Sequence, residues 1–181
     1  MKKEVQAVYV PVGVPTFHLE SAREEFRKSA ELLRRICPNT AVPDDLLLSV
    51  DKLGEFLDTV DPDLIVFQNA TFANAAYAAE VLHRFRDVPI VLWTLREPAI
   101  DGGRLRLNSL TGAYSAANTI RQFRWEPFEF IYGSPSEPDV ARRMKAVFGA
   151  AGLLLSLKSL KLAAVGHTPQ GFGFGDRKSV V

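Results

Sequence analysis

The sequence predicts an α/β fold: a three-layer, mostly parallel sheet of flavodoxin-like or Rossmann-like type. Three observations carry that reading. Short apolar runs rich in β-formers alternate along the chain with stretches striped at helical spacing, and such alternation implies βα units joined by right-handed crossovers. The runs at 64–67 (LIVF) and 89–93 (PIVLW) are continuously apolar, as strands covered on both faces are. At 181 residues the chain suits one domain with a sizeable core and is too short for two comfortable ones.

The elements follow in order. Residues 5–10 (VQAVYV) form an apolar run that meets Pro11 and Gly13, which fits a central strand leaving into a loop. Ser21 and Glu24 have capping-box spacing, and Leu19, Ala22, Phe26, Ala30 and Leu33 recur as one helical stripe. Pro38 and Asn39 end that helix, and 40–42 is a candidate short edge strand. Leu53, Phe56, Leu57 and Val60 mark a second helix, closed by Asp61-Pro62-Asp63. After the strand at 64–67, Ala78, Val81, Leu82 and Phe85 mark a third helix. The strand at 89–93 precedes a long loop and a helix over about 110–123. Residues 128–132 (FEFIY) read as a strand ending at Gly133. Val140, Met144, Val147, Ala151 and Leu154 stripe a last helix, before a predicted strand at 160–165. A central first strand would bring the loops at 11–18, 68–74 and 94–108 to one rim.

Composition narrows the function classes. Lys plus Arg number 22 against 21 for Asp plus Glu, a net charge of +1. That balance gives no electrostatic reason to expect nucleic acid or an anionic membrane as partner. Cys37 has no second cysteine to pair with, so a reducing compartment is expected. Met1-Lys2-Lys3 runs straight into a strand without the apolar region and cleavage site of a signal peptide. The apolar stretch at 146–155 is too short to span a bilayer. A cytoplasmic domain is the expectation. The last six residues, Asp176 to Val181, match what a common sequencing adapter encodes in one frame before a stop codon. The expectation is therefore a domain over 1–175 and a non-native tail over 176–181.

The stretch 89–118 concentrates the functional signal. In open α/β sheets, ligands bind in the loops outside the carboxyl ends of strands, and here one loop holds Trp93, Arg96, Glu97, Asp101, Arg104, Arg106 and Asn108. Several of these have a structural alternative. Asp101-Gly102-Gly103 suits a tight turn in which Asp101 bonds its own backbone. Arg96 and Glu97 suit either an ion pair that closes the loop or the binding of hydroxyls. Trp93 suits either plain core or an apolar floor for the C–H faces of a sugar. Asn108 suits an N-cap. Asn118, inside a helix where Asn is a poor former, suits simple exposure or a contact to a ligand or partner.

Other chemistries lack their patterns. No Gly-Lys-Ser/Thr follows Gly102-Gly103, Gly13 stands alone after the first strand, and no Gly-x-Ser-x-Gly occurs. His18, His83 and His167 have no second ligand at metal-site spacing. Cys37 ends a helix rather than beginning one, so nothing activates its thiolate.

The run VLWTLREPAIDGGRLRLNSLTGAYSAAN resembles the N-terminal domain of the L-fucose isomerase / L-arabinose isomerase superfamily. Its fucose isomerase-like branch carries a similar W-x-x-x-E-P-x-x-D-G-G-R-L-R-x-N-S-L-x-G pattern. The ending LAAVGHTPQGF is similar to that family's passage into its middle domain. The resemblance implies the N-terminal substrate-contacting and oligomerisation domain of a cytoplasmic aldose–ketose isomerase. It implies no catalytic group, metal ligand or cofactor in this fragment. Mn²⁺ and the proton-transfer carboxylates are expected in later domains of the parent protein, with a trimer or hexamer as its homo-oligomer and a sugar as its substrate. On the matching motif the substrate contacts are Trp93, Arg96, Glu97, Asp101, Arg104 and Asn108, joined by Thr16, Phe17 and His18 after the first strand. The chain lacks the longer polar motif that fucose isomerases carry after that strand, so the resemblance does not extend to L-fucose itself. The competing expectation is a stand-alone flavodoxin-like domain that binds a small polyol or phosphate at the same rim, in a regulatory role.

Overall fold

The structure, a computed structural model, describes residues 4–124 and 128–161. Four parallel strands, β1 (Ala7–Val12), β2 (Leu64–Asn69), β3 (Ile90–Thr94) and β4 (Glu129–Tyr132), lie side by side in chain order. Five helices connect or follow them: α1 (Leu19–Ile36), α2 (Val50–Leu57), α3 (Ala75–Arg84), α4 (Ser109–Phe123) and α5 (Pro138–Lys158). The α/β fold is as the alternation predicts. The predicted strand at 160–165 lies, from residue 162 onward, outside the described residues, as do the tail and His167.

Strand register produces the layers. Val10, Phe67, Leu92 and Phe130 form one row across the sheet, and side chains of successive residues point to opposite faces. On one face Tyr9, Val66, Val91 and Trp93 pack against α1 and α5 through Phe26, Leu33, Met144 and Phe148. On the other, Val10, Phe67 and Leu92 pack against α2, α3 and α4 through Leu53, Leu57, Val81, Ala113 and Ile120. The helical stripes read from the sequence supply most of these contacts.

Two local expectations change. β1 ends the four-stranded ladder rather than lying within it. Outside it the chain adds only two parallel bridges, Val8 to Ala41 and Val12 to Leu47, in place of the edge strand expected at 40–42. Those bridges put the second chain pass outside the first, as in flavodoxin-like sheets, where the ligand crevice opens at the switch point beside the first strand. The helix start also moves. Ser21 is not the cap of α1: the helix begins at Leu19, and His18 Nδ1 accepts from Ser21 N. The imidazole reaches the third helical residue as a cap oxygen would. Among the described residues, no helix is long and apolar enough to cross a membrane.

Candidate functional site at the carboxyl rim

The carboxyl ends of the strands carry the row Val12, Asn69, Thr94 and Tyr132, and three loops meet above it as expected. Val14 N donates to Thr71 Oγ1 over 2.9 Å. His18 N donates to the Arg106 carbonyl (2.9 Å) and Phe72 N to the Leu107 carbonyl (2.8 Å). Gly13 makes the first contact possible, because a Cβ there would stand 2.6 Å from Thr71 Oγ1. Beneath the loops, buried Ser109 fastens the start of α4 to two strands. Its hydroxyl donates to the Asn69 carbonyl, accepts from Leu95 N (2.8 Å) and lies 2.7 Å from Thr94 Oγ1.

Much of the polar equipment of the long loop serves the loop itself. The Glu97 carboxylate accepts from three successive backbone N–H groups, those of Arg106, Leu107 and Asn108. It holds the descending limb against the ascending one. Asp101 Oδ1 accepts from Gly103 N over 3.0 Å, and Gly102 has φ +82. The tight-turn reading of 101–103 is the one realised. Asn108 occupies the N-cap position of α4 in the left-handed region (φ 49, ψ 33) and makes no side-chain cap bond. Its Oδ1 accepts from Thr111 Oγ1 instead. Asn is one of the few residues that tolerates this backbone. Asn118 is exposed.

Arg96 does not pair with Glu97. Its guanidinium makes a two-pronged ion pair with Glu137, both distances 2.9 Å, and lies 4.5 Å over the Tyr132 ring. That guanidinium, with a further bond from Ser134 N, pushes the Glu137 carboxyl down to about 2. The Glu137 carboxylate in turn raises Arg96 further above its already high value.

Trp93 is a correction. It is fully buried in the face that α1 and α5 cover, with Nε1–H on the Gly133 carbonyl at 2.9 Å. A ring without exposed area offers no floor to a sugar.

The outer surface of the rim is left to Thr16, Phe17, His18, Asp101 and Arg104. Thr16, His18, Asp101 and Arg104 are exposed and Phe17 is half-buried. Phe17 leans on Phe72, with centroids 6.1 Å apart, and carries Arg104 4.8 Å above its ring. The surface combines an apolar plate, a cation, a carboxylate and an imidazole, which suits the binding of a polar small molecule. Among the described residues, no three His, Cys, Asp or Glu side chains converge to hold a metal ion.

One feature lies outside the predicted set. Asn69 follows the apolar run of β2 and is fully buried, yet among the described residues neither amide atom has a hydrogen-bond partner. A polar residue directly behind a buried strand was its only signal in the sequence.

An α/β unit with a polar surface at its switch-point rim is the class this geometry defines. No protein-family profile matches the chain. It is 54% identical over 172 residues to a sulfoquinovose isomerase of Clostridium sp. strain MSTE9, covering 95% of this chain and 38% of that protein. It is 37% identical over 170 residues to the sulfoquinovose isomerase of Priestia megaterium, covering 92% of this chain and 37% of that protein. A sulfoquinovose isomerase of Alkalicoccus urumqiensis is 34% identical over 169 residues. The chain thus spans less than two fifths of the length of these relatives.

Proposed function

We propose that this chain is the N-terminal, substrate-contacting unit of an aldose–ketose isomerase acting on a sulfonated hexose. The observation that carries the reading is 54% identity, over nearly the whole chain, to a protein named sulfoquinovose isomerase. Sulfoquinovose is a glucose in which a sulfonate replaces the C6 hydroxyl. Its isomerisation moves one proton from C2 to C1 through an enediolate, while the carbonyl passes from C1 to C2.

That chemistry needs a proton-transfer pair and a means of holding negative charge on the oxygens. In this reading both come from the remainder of a longer protein, with a divalent metal such as Mn²⁺ bound there. Thr16, Phe17, His18, Asp101 and Arg104 contact the sugar. Glu97, Asn108 and the Arg96–Glu137 pair hold the loop in shape around it. The domain over 1–175 also contributes to a cytoplasmic homo-oligomer in which rims and catalytic groups meet.

The test is an assay of the longer protein with sulfoquinovose, following ketose formation by NMR with Mn²⁺ and after chelation. Turnover is expected with metal and not with chelator, and the 181-residue chain alone is expected to be inactive. Absence of turnover in the longer protein, on this and on other aldoses, overturns the reading.

A further inference from the structure

Arg104 differs from the other charges of the rim. Arg96 is engaged by Glu137. Glu97 accepts three backbone N–H groups, and Asp101 Oδ1 accepts from Gly103 N. Among the described residues the Arg104 guanidinium makes one contact, with the Phe17 ring at 4.8 Å. Among the described residues no carboxylate stands within ion-pair distance of it, nor of Arg106 two residues on.

A cation–π contact engages no carboxylate, so the N–H edge of the guanidinium remains available to an anionic ligand. That edge is a fork of parallel donors matched to the oxygens of a tetrahedral or planar anion. Phe17 is itself braced by Phe72, so the fork is held in place before a ligand arrives. Holding it beforehand reduces the ordering cost of binding.

Resting on the isomerase reading above, we propose that Arg104 is the residue that selects the sulfonated sugar, by pairing its N–H edge with the sulfonate oxygens. Phe17 is the plate that positions it. A sulfonate is anionic at every working pH and offers three acceptor oxygens. A neutral hexose offers the same fork a single hydroxyl and leaves the cation unpaired. The Arg106 side chain, which has no ion-pair partner among the described residues, adds positive potential.

The experiment compares sulfoquinovose with quinovose, the same sugar without the sulfonate, in the longer protein and its R104Q variant. Arg104 is exposed, so the substitution leaves the core intact. Loss of a charged hydrogen-bond pair is expected to lower kcat/KM for sulfoquinovose roughly tenfold to a hundredfold, chiefly through KM. The loss for quinovose should be at least several-fold smaller than the loss for sulfoquinovose, since it lacks the group being read. R104K should recover part of the loss, keeping the charge without the fork.

Equal losses on both sugars, or no loss on either, overturn the assignment and leave the isomerase reading standing. Equilibrium binding of sulfoquinovose by calorimetry separates the converse case. Binding that is weakened by R104Q in a protein without turnover keeps the sulfonate assignment and removes the isomerase.

Discussion

Trp93 is sealed in the core with its indole N–H on the Gly133 carbonyl, so its removal is a packing event. Trp93→Ala should cost about 3–5 kcal/mol of stability through the cavity it leaves. Sugar binding by the folded fraction should be unchanged. A urea denaturation series with binding measured below the transition checks both halves; weakened binding at full folding would return Trp93 to the rim. Arg96 is tied to charge instead. Its guanidinium holds the Glu137 carboxyl at about 2, against an ordinary value of 4.5. The folded state therefore favours the ionised carboxylate. The pairing stabilises the fold fully above pH 4.5, and that contribution is lost as pH falls toward 2. Arg96→Ala should bring the Glu137 titration back toward 4.5, observed through its side-chain carboxyl resonance. A carboxyl that still titrates near 2 would assign the shift to the Ser134 N–H alone.

Two helices contain a glycine at which the same substitution should act with opposite sign. In α4 a Cβ on Gly112 would stand 2.7 Å from Asn69 Nδ2 and 2.9 Å from Ala73 N, the second of them backbone that cannot swing aside. Gly112→Ala should therefore destabilise by about 1–3 kcal/mol although Ala is the better helix former. In α5 nothing among the described residues outside the helix's own backbone lies within 4 Å of the corresponding position on Gly149, so Gly149→Ala should stabilise by roughly 0.5–1 kcal/mol. Thermal unfolding of the two variants tests the close approach of α4 to the end of β2; matching signs would mean that the contact relaxes. Elements of this kind were legible where one face is apolar. The stripe Ala22, Phe26, Ala30 and Leu33 announced α1, and all four residues are buried. The start of α1 was less legible, because an imidazole capping through Nδ1 has no motif comparable to Ser-x-x-Glu. The rim was legible as a place and less so as a set of roles. Glu97 bonds backbone N–H groups, which leave no side-chain pattern to read. The partner of Arg96 lies 41 residues away in another loop. Burial of Trp93 depends on α1 and α5 arriving over β3, and no window around the residue contains that information.

At the scale of the whole molecule, the rim and the opposite end of the sheet are differently finished. The rim is an open polar surface. Near the amino ends of β2, β3 and β4 a groove of about 780 Å³ runs along α5, lined by Ile90, Ile120, Val147, Ala151 and Leu154 among others. Past that groove Leu153, Leu157 and Leu160 are each more than half exposed. Helices with so large an apolar face are ordinarily packed against something. Among the described residues nothing covers this one, and the relatives carry more than half of their length outside the matched region. The 181-residue chain should therefore associate as its concentration rises, through the last turns of α5. Sedimentation velocity over a hundredfold concentration range should show growth in mass. The double variant Leu153→Glu with Leu157→Glu should remain monomeric with unchanged melting temperature, because both side chains already face solvent. If the parent chain is monomeric throughout and melts independently of concentration, α5 is an ordinary solvent-facing helix and the stand-alone domain becomes the better description. If instead the double variant lowers the melting temperature of the monomer, these leucines contribute to the stability of the single chain and not to its association.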